Sequence, residues 1–129
     1  MFEAFIAGTA KPQGSKTAYA RNNRVIMFEA NKKLPEWRNH AIKVLSSYAP
    51  PEPLGGALVV CMFFYFEKPK TSKRDKPNVK PDLDKLARAM ADALTQSGVI
   101  QDDSRITEMH LYKAYSDVAG CLITIQHAE

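Results

Sequence analysis

Pro81-Asp82-Leu83-Asp84-Lys85-Leu86-Ala87-Arg88-Ala89-Met90-Ala91-Asp92-Ala93-Leu94-Thr95-Gln96-Ser97-Gly98, continuing as Val99-Ile100-Gln101-Asp102-Asp103, is the stretch on which the reading of this chain turns. Leu83, Leu86, Ala87, Met90, Ala93 and Leu94 recur at helical intervals and form one apolar stripe. The helix ends near Ser97, with Gly98 as a left-handed stop. Asp82 and Asp84 therefore stand at its start, and Asp102 and Asp103 just beyond its end. After Ile106 the chain becomes strand-like, so a return strand beside the helix start would bring Asp102 or Asp103 to the first pair. Hard cations such as Mg²⁺ take oxygen ligands at ~2.0–2.1 Å and keep several waters, so a few carboxylates suffice without His or Cys. Carboxylates gathered this way make a phosphodiester-cutting site.

Each carboxylate also has an ordinary structural reading. Asp82, after a proline, suits a helix N-cap, and Asp84 can pair with Arg88 four residues on. Asp102-Asp103 alone reads as a turn. The combination tips the balance, because a lone cap explains neither two Asp at alternate positions nor a second pair at the far end of the same helix.

Lys80-Pro81-Asp82-Leu83-Asp84-Lys85-Leu86-Ala87-Arg88, with Asp92-Ala93-Leu94, Gly98-Val99-Ile100 and Asp102-Asp103-Ser104-Arg105-Ile106, resembles the signature of the RusA family of Holliday junction resolvases. The resemblance implies that Asp82, Asp84 and Asp103 are catalytic, metal-binding carboxylates, with Asp102 as a further partner. It also implies a homodimer that uses Mg²⁺, with Mn²⁺ as a substitute, to cut four-way DNA by paired nicks during recombination and repair. At two positions the chain departs from the family pattern. Lys85 stands where the family usually has Asn, and Arg88 where it has a catalytic Lys. An arginine there supplies charge to the transition state.

Composition sets the outer bounds. A chain of 129 residues, 45% apolar and 25% charged, suits one globular domain spanning residues 1–129. A net charge of +4 and a pI near 9.1 favour a polyanionic partner. Cys61 and Cys121 lie in strand-like runs and read as small buried hydrophobes, which points to a reducing cytoplasm. No apolar run approaches a membrane span and the first residues lack a basic leader, so neither membrane insertion nor export is expected. No small-molecule cofactor is called for.

Along the chain, residues 2–8 suit a first strand, and Lys16 to Ala30 reads as a hairpin with Arg21-Asn22-Asn23-Arg24 at its tip. Pro35 fits the first turn of a helix that runs to about Tyr48, with Trp37, Ala41, Val44 and Leu45 on its apolar face. Leu58 to Phe66 has no charged interruption and predicts a central strand buried on both faces. Ile106 to Tyr115 and Val118 to Gln126 are two further strands. The expected architecture is α+β, with two main helices and a mixed sheet of about five or six strands.

Between the central strand and Asp82, the stretch from Lys68 to Lys80 carries six basic residues against one acidic, with Pro69 and Pro77 opposing regular structure. It predicts an exposed loop that brings charge to the carboxylates. Lys68, Lys70, Lys73, Arg74, Lys76 and Lys80, with Lys85 and the hairpin's Lys16, Arg21 and Arg24, are the expected DNA backbone contacts. Tyr19 is a candidate base-stacking contact. His40, His110 and His127 are too scattered for a catalytic set. Two other functions stay open at this level: a metal-dependent nuclease on flaps or duplex DNA without junction preference, and a non-enzymatic basic DNA-binding module.

Overall fold

The apolar stripe from Leu83 to Leu94 becomes α2 (Leu83–Gln96), and Leu86, Met90, Ala93 and Leu94 are all fully buried along it. Gly98 ends it at φ +83°, the left-handed conformation that only glycine adopts at little steric cost. The computed structural model describes the backbone of residues 1–13, 16–21, 24–29 and 34–129, and the side chains of 1–13 and 35–129. The elements are β1 (Phe2–Ala7), β2 (Lys16–Arg21), β3 (Arg24–Glu29), α1 (Leu34–Tyr48), β4 (Leu58–Phe66), α2, a 3₁₀ turn at Asp103–Arg105, β5 (Ile106–Tyr115) and β6 (Gly120–His127). Among the described residues, no helix is long and apolar enough to cross a membrane.

Four strands form one mixed sheet in the order β1-β6-β4-β5, with β4 parallel to β5 and antiparallel to β6. This corrects the expectation of five or six strands. β2 and β3 pair only with each other, Arg21 opposite Arg24, and form a separate two-stranded sheet. Periodicity marks a segment as extended but does not say which ladder it joins. The parallel β4–β5 pair needs a crossover connection, and α2 supplies it.

β4 is central, with β6 on one side and β5 on the other, as its apolar run predicts. It is not buried on both faces. Leu58, Val60, Met62 and Phe64 are fully buried, whereas Val59, Cys61, Phe63 and Tyr65 between them are only half-covered. The run is continuous because its second face is also apolar, not because a second layer within the described chain covers it.

The core lies on the first face. Trp37, Ala41 and Leu45 of α1 and the stripe of α2 join Ala4 and Ile6 of β1, the four buried residues of β4, and Ile123 and Ile125 of β6. Burying each large aliphatic side chain is worth roughly 1.5–3 kcal/mol, so α2 is anchored along most of its length. That fixes where its polar face points. Cys61 and Cys121 are both free, and burial pushes the Cys121 thiol far above its ordinary range.

Candidate functional site

Asp82 occupies the N-cap position of α2 in an extended conformation, φ −69° and ψ 135°, yet its carboxylate makes no capping hydrogen bond. The structural role that would explain it is therefore not taken. The Lys85 ammonium lies 3.6 Å from Asp82 Oδ2 instead. Asp82 opens into a depression of about 450 Å³ whose rim carries Lys11, Lys80 and Lys85. The backbone just before it is held from β5: Lys113 Nζ donates to the carbonyls of Val79 at 2.8 Å and Pro81 at 2.9 Å.

Asp84 points into a second and larger groove of about 530 Å³. On the helix wall Asp84, Arg88 and Asp92 follow one another at spacings of four residues, so they share a face. Asp103 contributes from the 3₁₀ turn, and Met109 and Leu111 of β5 form an apolar lining. Arg88 Nη2 stands 3.9 Å from Asp84 Oδ2, with the two side chains 69% and 66% exposed. A pair so exposed is worth at most about 1 kcal/mol, so both groups are free to engage a ligand.

The chain from Thr9 to Gln13 borders both hollows. Lys11 and Pro12 line the first and Gln13 the second. The Gln13 N–H donates to the Lys85 carbonyl at 2.9 Å, and its Oε1 accepts from Arg38 Nη2 at 2.6 Å.

The acidic pair beyond α2 is divided between two tasks. Asp102 caps the 3₁₀ turn, accepting from the Ser104 N–H at 3.0 Å, and the hydrogen bonds from Ser104 hold its carboxyl below the usual value. Asp103, one residue on, faces the groove. The return path is set by a short bridge between Leu54 and Ile100, with Leu54 N–H donating to Val99 O at 2.8 Å and Gln101 N–H to Leu54 O at 2.9 Å. Gly55 lets the Gln101 side chain lie against the backbone, where a Cβ would stand 2.7 Å from it.

This path brings Asp103 to the groove wall formed by Arg88, Ala91 and Asp92 as well as Asp84. Asp84 and Asp92 are about 12 Å apart along the helix axis at ~1.5 Å per residue. The carboxylates are strung along the groove, and among the described residues no three His, Cys, Asp or Glu side chains form a ready cage for a metal ion. The donor set still fits a hard divalent cation. It offers only oxygen, it faces solvent, and Mg²⁺ is ordinarily held by one or two carboxylates together with waters and substrate phosphates.

A family model described as Endodeoxyribonuclease RusA matches residues 9–126, nearly the whole chain. The chain belongs to the RusA endodeoxyribonuclease family. It is therefore an endodeoxyribonuclease of the class that resolves Holliday junctions. No curated protein matches it. RusA nucleases act on branched DNA and generally depend on a divalent metal.

In this RusA chain Lys68, Lys70, Lys73, Arg74, Lys76 and Lys80 are all exposed, on a segment without helix or strand. Its end is fixed against the sheet by Lys113. Lys16, Tyr19, Arg21 and Arg24 fall on β2 and β3, and their side chains lie outside the described residues, as do Asn22 and Asn23 at the hairpin tip. The histidines are dispersed as expected: His40 Nε2 meets Ala7 O at 2.7 Å and His110 Nε2 meets Glu108 Oε2 at 2.6 Å.

Lys11, Gln13, Asp92 and Lys113 stand beside the site although the sequence does not mark them as site residues, and Asp92 enters only within the family signature. Asp92 could have been found, since it continues the Asp84–Arg88 spacing by one further step of four. Lys113 could not. Its partners are 32 and 34 residues away, and nothing local marks it.

Proposed function

We propose that this RusA-family chain is a structure-selective endonuclease that resolves four-way DNA junctions by paired nicks, with Mg²⁺ as its metal and Mn²⁺ as a working substitute. One observation carries the reading: Asp84 and Asp103, from opposite ends of the crossover helix, share one groove with Arg88. Asp84 and Asp103 would hold the cation from two walls of the groove, assisted by Asp82 from the turn that begins α2. Asp102 stays with its cap. When bound, the cation supplies positive charge at the scissile phosphate and makes water more acidic.

The remaining work falls to the chain. Arg88 offers a permanently charged guanidinium to the phosphate oxygens as negative charge builds on them. The exposed cations of residues 68–80, with Lys85 and the hairpin's Lys16, Arg21 and Arg24, hold the sugar-phosphate backbone without reading bases. Lys113 keeps the turn before Asp82 in place. A four-way junction is two-fold symmetric, so a homodimer sets two cutting sites on opposed strands. A cytoplasmic setting agrees with the two free cysteines.

The test compares cleavage of a synthetic four-way junction with linear duplex and flap DNA of the same sequence. Faster cleavage of the junction by at least about tenfold is expected, a difference of ~1.4 kcal/mol in barrier. Equal rates would make the protein a nuclease without junction preference. Binding without any metal-dependent nick would reduce it to a DNA-binding module.

A further inference from the structure

Gln13 lines the groove of Asp84 and Asp103 with a side chain whose two ends are chemically different, and its surroundings decide which end is spoken for. The segment that carries it follows β1 and is pinned twice: Ala10 is buried in the core, and the Gln13 N–H donates to the Lys85 carbonyl at 2.9 Å. Its Oε1 accepts from Arg38 Nη2 of α1 at 2.6 Å. A guanidinium has donors only, so the amide turns its oxygen to Arg38 and keeps its NH₂ group for another partner. Arg38 Nε is buried without a partner among the described residues, and losing the bond to Oε1 as well would strand more of the guanidinium. The orientation of the amide is therefore held.

The groove is short of what that NH₂ group offers. Asp84, Asp92 and Asp103 bring carboxylates to its lining against a single guanidinium, that of Arg88. Ionised carboxylates only accept, and the other lining residues are Ala, Met and Leu. Among the described residues, Arg88 and Gln13 are thus the lining side chains able to donate to a phosphate oxygen. Arg88 brings charge. Gln13 brings a donor without charge, which Arg38 polarises by drawing on Oε1. Because Oε1 already serves one cation, Gln13 is a poor ligand for a second.

We propose that Gln13 Nε2 donates to a non-bridging oxygen of the phosphate being cut, and that Arg38 is the residue that positions it. The inference rests on the reading of this groove as the cutting site, and it adds a substrate contact from outside α2 and its flanking turns. The scissile phosphate then meets donors from two walls, Arg88 on the helix and Gln13 on the segment after β1. Its oxygens gain negative charge as water attacks. A bond aimed at one of them is stronger in the transition state than before it, so the contact acts on rate more than on affinity.

Single-turnover nicking of a four-way junction by the full chain tests this. Gln13→Glu keeps an oxygen for Arg38 and the backbone bond to Lys85 but replaces the NH₂ group by an acceptor. It should melt no lower than wild type and nick about 10²-fold more slowly. Gln13→Met, which adds no charge, should lose a similar factor with junction affinity little changed. A mere tie between α1 and α2 predicts the full rate for Gln13→Glu. Arg38→Met should slow wild type by about tenfold but leave the rate of Gln13→Met as it is, since Arg38 acts through Gln13. Sulfur in place of one non-bridging oxygen reads the contact at the atom, with Mn²⁺ as the metal because it tolerates sulfur. One diastereomer should slow wild type and not Gln13→Met. Full rate in either Gln13 variant, an additive loss in the double variant, or equal sulfur effects in wild type and Gln13→Met would each overturn the contact alone. A wild type that makes no metal-dependent nick overturns the reading of the groove instead.

Discussion

The Lys113 ammonium donates to the carbonyl of Pro81 at 2.9 Å, so edge strand β5 holds the residue immediately before Asp82. A second bond, to Val79 O, makes the grip two-pronged. Lys113→Met keeps most of the aliphatic stem but removes both bonds, each worth about 1.5–3 kcal/mol when the donor is charged. Single-turnover cleavage should slow by about tenfold, since small misplacements of catalytic groups are costly, with DNA affinity little changed. An unaltered rate would show that the start of α2 is positioned without Lys113.

Asp82→Asn, Asp84→Asn and Asp103→Asn should each abolish cleavage, while junction binding is kept or tightened as repulsion of phosphates falls. Asp102→Asn should remain active, because Asp102 caps the 3₁₀ turn and leaves the groove to Asp103. Electrophoretic binding and nicking assays on the same preparations check both. Full activity in any of the first three removes that residue from the site.

The hydrogen bonds from Ser104 hold the Asp102 carboxyl below its ordinary value of 3.8. A depressed carboxyl stabilises the fold above the unfolded-state value and loses that contribution as pH falls through the folded-state value. Melting temperatures of wild type and Asp102→Asn should therefore converge as pH is lowered from about 5 toward 2. A gap independent of pH would show that the ionised form of Asp102 contributes nothing to the cap.

Neutralising Lys70, Lys73 and Lys76 together should weaken binding to every DNA shape and reduce the slope of log affinity against log salt by up to ~3. Titrations at several salt concentrations measure it. An unchanged slope would leave the loop as solvated surface.

Arg88 can provide charge but is a very poor acid. Arg88→Lys should keep most activity, and Arg88→Ala should lose about 10² to 10³ in rate with binding largely intact. Lys85, whose ammonium already faces Asp82, is the competing cation. A near-normal rate for Arg88→Ala with a collapsed rate for Lys85→Ala would transfer the role.

What could be read from the sequence was what short-range pattern determines. The 3.6-residue stripe from Leu83 to Leu94 and the glycine at position 98 specify α2 and its end, and α2 carries Asp84 and Arg88 with it. The run from Leu58 to Phe66 is legible as a central strand, but its pattern is blind to whether the second apolar face is covered from within the chain. Strand pairing is equally hidden, because an extended pattern does not show that β2 and β3 pair apart from the main sheet. Asp102 and Asp103 are chemically identical and adjacent, and only the 3₁₀ turn assigns one to the cap and the other to the groove. Lys113 depends on tertiary packing alone.

The central claim, that Asp84 and Asp103 make the groove a metal-dependent cutting site for junctions, is tested most directly by single-turnover cleavage of a labelled four-way junction. Wild type and Asp84→Asn would be compared with Mg²⁺, with Ca²⁺ and with chelator. Nicks in two opposed strands by wild type with Mg²⁺, none with chelator and none from Asp84→Asn that still binds the junction are the predicted result. Junction binding by wild type without metal-dependent nicks, or full cleavage by Asp84→Asn, would contradict it.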